Sequence, residues 1–140
     1  MIYCPCCQNA EDKCICQGCA GSIKNPKVRE QLTKSKCKVV YIAGPYRARN
    51  GTILENIRAA EQVAIKYWRL GYFVFCPHLN SAFMDGVMPD EHFLESGLEF
   101  LRRADVVVFM RGHERSAGAM KELDLAIELK KEIIREWPTA

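Results

Sequence analysis

At 140 residues the chain has room for one core and not for two substantial ones. A composition of 49% hydrophobic and 26% charged residues is ordinary for a globular protein, and a formal charge of +3 does not by itself call for nucleic acid. No apolar run approaches the ~20 residues of a membrane helix, and "MIYCPCC" lacks the basic start and apolar stretch of a secretion signal; a cytoplasmic protein with no membrane partner is expected.

Residues 1–21 form a cysteine-rich head. Cys4, Cys6, Cys7, Cys14, Cys16 and Cys19 crowd into it, and in a reducing compartment such a cluster reads as a metal site before it reads as disulfides. "CPCC" and "CQGC" supply two CxxC pairs, Cys4/Cys7 and Cys16/Cys19, whose four thiolates at ~2.3 Å would satisfy one structural, tetrahedral zinc. Cys6 and Cys14 create competing registers: a site sharing them, a two-metal cluster or an iron–sulfur centre are the alternatives. Cys37 and Cys76 stand beside strand-like segments and read as buried free thiols. Residues 22–37, "SIKNPKVREQLTKSKC", are a basic linker. Without interleaved aromatics, nucleic acid is the less favoured partner for it.

From Lys38 the pattern becomes regular, and 38–140 is read as one domain. "KVVYIA" is a β-branched run ending at Gly44-Pro45, as a buried parallel strand would. Thr52 and Glu55 make a capping box that opens a helix to about Leu70, stopped by Gly71, with Ile53, Ile57, Ala60, Ala64 and Trp68 on its inner face. "YFVFC" is a second strand, closed by Pro77. Pro89-Asp90 starts a helix to about Arg103, with Phe93, Leu94, Leu98 and Leu101 inward. "DVVVF" is a third strand, Ala117–Lys130 a third long helix, and "EIIRE" a last short strand. This alternation predicts an α/β fold: an open parallel sheet with helices on both faces, a flavodoxin- or Rossmann-like three-layer α/β/α arrangement.

Ligands of such sheets bind beyond the C-terminal strand ends. Three loops meet there: "GPYRARN", "PHLNSAFMDG" and "MRGHERSAG". The first offers Tyr46 and Arg47, whose planar guanidinium suits phosphate or carboxylate, yet it has neither Walker nor dinucleotide spacing. The second carries His78, Asn80, Ser81 and Asp85, with no second histidine at metal-ligand spacing. The third places Ser116 where a helix start exposes backbone N–H groups, leaves room at Gly118 and Ala119, and sets Glu122 in the first two turns. An acidic residue near a helix start also has a plain reading, stabilisation of ~0.3–1 kcal/mol by the helix dipole.

Together, "YIAGPYR", "FCPHLNS", "GLEFLRRADVVVF" and "SAGAMKELDLAIE" resemble the nucleoside 2-deoxyribosyltransferase superfamily. The resemblance covers about residues 38–135. Within the superfamily it leans toward the 2'-deoxynucleoside 5'-phosphate N-hydrolases and allied uncharacterised bacterial and phage proteins. It implies cleavage of an N-glycosidic bond by double displacement, as hydrolysis or base exchange, with no catalytic cofactor. The family's small-x-Gly-x-x-x-Glu pattern falls on Ser116, Gly118 and Glu122, which makes Glu122 the implied nucleophile. Tyr41 matches a tyrosine that orients the nucleophile or lines the sugar pocket. Arg47 and Ser116 match phosphate-binding residues, His78 a site histidine, and Gly44 a point of close ligand approach. A nucleotide or nucleoside is thus the expected partner, and a homo-oligomer the expected assembly, since relatives share pocket walls between subunits.

Two positions depart from the pattern. The hydrolases place a catalytic aspartate in "DLEWL"-type sequence, and the aligned residue of "SGLEFL" is Gly97; Asp85, Asp90, Glu91 or Glu95 would have to replace it. Pro45 stands where the hydrolases have a polar phosphate contact. The competing readings are a nucleotide-binding module without turnover, which Gly97 favours, and an interaction protein whose zinc head meets nucleic acid.

Overall fold

Val106–Met110 is the strand that organises the domain: all five residues are buried. Such a continuous apolar run is stable only where both faces of a sheet are covered. The computed structural model describes residues 38–47 and 51–136. The cysteine head with Cys4, Cys7, Cys16 and Cys19, and the linker to residue 37, lie outside the described residues.

In chain order the elements are β1 (Val39–Ala43), α1 (Ile53–Arg69), β2 (Phe73–Phe75), the single-turn α2 (Pro77–Asn80), α3 (Asp90–Arg102), β3 (Val106–Met110), a 3₁₀ turn (His113–Arg115), α4 (Ala117–Glu128) and β4 (Glu132–Glu136). The sheet is wholly parallel, in the order β2-β1-β3-β4. The chain leaves β1 toward one edge and β3 toward the other. The two central strands therefore diverge at their C-terminal ends, and a crevice opens where ligands of such sheets bind.

Alternation along β1 sorts the core into two layers. Val40 and Ile42 face α1 and pack with Ala60, Ala64, Tyr67, Val106 and Val108. Tyr41 and Ala43 face α3 and α4, among Leu101, Ala104, Val107, Phe109, Leu123 and Ala126. The three layers of the sequence reading are present.

Thr52 caps α1 as the sequence implies: its side chain accepts from the Glu55 N–H at 3.1 Å while Glu55 accepts from the Thr52 N–H at 2.7 Å. Gly71 follows at φ 90°, the left-handed exit that a Cβ would resist. The inner face of α1 is corrected at its far end. Trp68 is 54% exposed and Tyr67 is buried: helical phase sets the two about equally far from the Ile57-Ala60-Ala64 stripe, and Tyr67 is the one that packs into the core. Tyr67 and Lys66 both bond Glu136, tying α1 to β4. The helix expected to reach Lys130 ends at Glu128, and Lys130 itself takes the left-handed turn at φ 54°. Neither α2 nor the 3₁₀ turn was expected from periodicity.

Candidate active site

The crevice beyond β1 and β3 is a cleft of about 510 Å³, within the range of small-molecule sites. Of the residues singled out in the sequence, Gly44, Tyr46, Arg47, His78, Ser116, Gly118 and Glu122 line it. Tyr41 lies behind Glu122, fully buried. Asn80 is exposed at the end of α2, outside the lining.

Glu122 is the unusual group. It sits on the second turn of α4 and is only 8% exposed, yet it forms part of the cleft wall. The Tyr41 hydroxyl donates to Glu122 Oε1 at 2.6 Å; the other oxygen has no hydrogen-bond partner among the described residues. Burial pushes the carboxyl up to about 7, and the Tyr41 bond opposes that rise. Tyr41 is raised well above the usual phenol range, chiefly by its own burial and then by the neighbouring carboxyl.

Ser116 is the N-cap of α4, its Oγ accepting from the Ala119 N–H at 3.3 Å. Ala117 and Gly118 keep first-turn N–H groups without a partner among the described residues, pointing the positive end of a 12-residue helix at the cleft. Arg115 and Lys121 also line the wall. Neither was singled out in the sequence, although each directly adjoins a residue that was.

Arg47 is not a free cation. Its Nε donates to Asp90 Oδ2 at 3.1 Å and its Nη2 to Asp85 Oδ1 at 3.1 Å and Asp90 Oδ1 at 3.2 Å. The Tyr46 hydroxyl also binds Asp85, at 3.1 Å. His78 donates Nε2–H to the Pro45 carbonyl at 2.9 Å, and Asn56 Nδ2 donates to the Tyr46 carbonyl at 2.8 Å. Residues 45–47 are thus pinned from α1, α2 and α3. Burial holds His78 below the ordinary imidazole range; the neutral ring leaves Nδ1 enclosed and without a partner.

The glycines divide. A Cβ on Gly44 would stand 2.6 Å from Met110 Sδ, so the bare backbone there serves strand packing before any ligand. A Cβ on Gly118 would meet only ordinary contacts, the nearest at 3.6 Å. Gly97 is buried on α3 and abuts the Tyr41 hydroxyl. Of the acids considered as its replacement, Asp85, Asp90 and Glu91 line the cleft and Glu95 does not. Among the described residues, no group of three or more His, Cys, Asp and Glu is placed to hold a metal ion, and no helix is long and apolar enough to cross a membrane.

A family model described as a domain of unknown function (DUF7768) matches residues 38–136. No curated protein matches the chain significantly. Solved structures that share its fold include the following two. The solution structure of BlsM superposes with a TM-score of 0.58 at 22% identity, covering 72% of this chain and 65% of that one. A 2-deoxyribosyltransferase from the psychrotolerant bacterium Bacillus psychrosaccharolyticus superposes with a TM-score of 0.52 at 26% identity, covering 69% of this chain and 70% of that one. The fold is that of the nucleoside 2-deoxyribosyltransferase superfamily, the group its motifs resemble.

Proposed function

The chain belongs to the DUF7768 family; from the geometry of its cleft we propose that it cleaves the N-glycosidic bond of a 2'-deoxynucleoside 5'-monophosphate, or of the nucleoside, with Glu122 as nucleophile. One observation carries the reading: a carboxyl group 8% exposed, braced through one oxygen by Tyr41, with its other oxygen unpaired in the wall of a cleft of about 510 Å³. The similarity to a 2-deoxyribosyltransferase supports the reaction class.

In the proposed reaction the free Glu122 oxygen attacks C1' as the C1'–N bond breaks, and the electron pair leaves with the base. A proton or hydrogen bond at the base eases its departure. Water, or a second base, then attacks C1' and releases the carboxylate, so one difficult displacement becomes two easier ones. A 2'-hydroxyl would destabilise the sugar cation inductively, hence the deoxyribose preference. Ser116, the Ala117 and Gly118 N–H groups and Arg115 form the phosphate end. Arg47, held through Nε and Nη2 by Asp85 and Asp90, has Nη1 left to join them.

The test is incubation with the common deoxynucleosides and their 5'-monophosphates, followed by chromatography for free base. The parent should release base and a Glu122→Ala variant should not. Equal release by both would remove the nucleophile assignment. Calorimetric binding of a monophosphate with no base released over hours would instead favour the binding-module reading.

A further inference from the structure

Gly97 lies near the middle of the 13-residue α3, where glycine is among the least favoured residues. It is buried and has helical neighbours on both sides, so no turn requires it. The space beside it explains it better. A Cβ at this position would stand 2.7 Å from the Tyr41 hydroxyl and 3.6 Å from Glu122 Oε1, and the next nearest atom, Tyr41 Cζ, is 3.9 Å away. Only the hydroxyl is too close. The hydroxyl can give way only by moving the Tyr41 ring, which is fully buried and stacked on Phe75 with centroids 6.0 Å apart.

We infer that Gly97 is a positioning residue for Glu122: the missing side chain on α3 is the space in which the Tyr41 hydroxyl stands to hold Glu122 Oε1. The inference rests on the proposed role of Glu122 and deepens it. Three elements converge here, β1 through Tyr41, α4 through Glu122 and α3 through Gly97. With the backbone placed as it is here, a Cβ at 97 and the Tyr41 hydroxyl cannot both keep their positions. Glycine at 97 offers no acid to the cleft from this point of α3, and assistance to the leaving base falls to the cleft-lining carboxylates Asp85, Asp90 and Glu91.

The test uses four full-length proteins: the parent, Gly97→Ala, Tyr41→Phe and the double variant. Thermal midpoint and the Glu122 titration, followed by carbon NMR of labelled glutamate, are read on each. Gly97→Ala should lower the midpoint in the parent. It should raise it in the Tyr41→Phe background, where the hydroxyl is gone, the nearest ring carbon is at contact distance and alanine restores helix preference. Each single change should move the Glu122 titration upward, because each removes the bond that favours the ionised form, and the double variant should move it no further. His78, Asp90, Glu91, Arg115, Lys121 and the Arg47–Asp85 pair are unchanged in all four proteins, so they cannot produce the difference. The same change of midpoint in both backgrounds, or an unmoved titration in Gly97→Ala, would overturn the inference. Absence of base release from all four would count against the proposed reaction alone and would leave both readouts intact.

Discussion

Glu122→Gln is expected to make the protein more stable at neutral and alkaline pH, by an amount that vanishes in acid. The carboxyl is buried and its pKa moves from 4.5 to about 7 on folding. Because the folded value is raised, the carboxyl's contribution is fully present below about 4.5 and is lost as pH rises through about 7. At about 1.4 kcal/mol per pH unit, the loss amounts to about 3 kcal/mol by pH 8. Glutamine keeps the shape, still accepts the Tyr41 hydroxyl through its carbonyl oxygen, and does not titrate. The assay is urea denaturation of parent and variant at pH 4, 6 and 8 and constant ionic strength. All other ionisable groups are common to the two proteins and cancel in the difference. The stability gap should be near zero at pH 4 and about 3 kcal/mol in favour of glutamine at pH 8. A gap that stays flat across this range would show that Glu122 ionises as freely as a surface carboxylate and would refute the reasoning.

Tyr41→Phe should raise the Glu122 pKa above about 7, since the lost bond is the one that lowers it; the acidic limb of the base-release pH profile should move up with it. Thr52→Ala removes one half of the capping box and should cost about 1 kcal/mol in urea denaturation, with no change in that pH profile. In the head, elemental analysis should find one zinc per chain, lost when Cys4 and Cys7 are both changed to serine; retained zinc would point to another register among the six cysteines.

The parts of the fold legible in the sequence are those written in local chemistry. The Thr52–Glu55 box, the β-branched run at Val106–Val108 and the Ser116 cap each declare an element through near neighbours. Trp68 misled because bulk and apolarity do not by themselves mark a core residue: helical phase leaves Tyr67 and Trp68 about equally placed, and the contacts with Tyr72 and Glu136, distant in the sequence or outside the helix, take Tyr67 inward. The site was legible as a set of residues and less so as a set of partners. Arg47 reads as a waiting anion ligand until Asp85 and Asp90, 38 and 43 positions away in the chain, are brought to it. His78 reads as a ligand contact, yet in the fold its Nε2–H is committed to the Pro45 carbonyl. Gly97 shows the same limit. In sequence it is a missing acid, and only the packing of β1 against α3 shows the tyrosine hydroxyl beside it.

The most direct test of the central claim is the mass of the protein during turnover. A reaction with a deoxynucleoside 5'-monophosphate, quenched in acid within its first turnovers and digested, should yield the Glu122 peptide carrying one added deoxyribosyl phosphate, and no such adduct in Glu122→Gln. Base released at full rate with the Glu122 peptide never modified would contradict covalent attack by this residue.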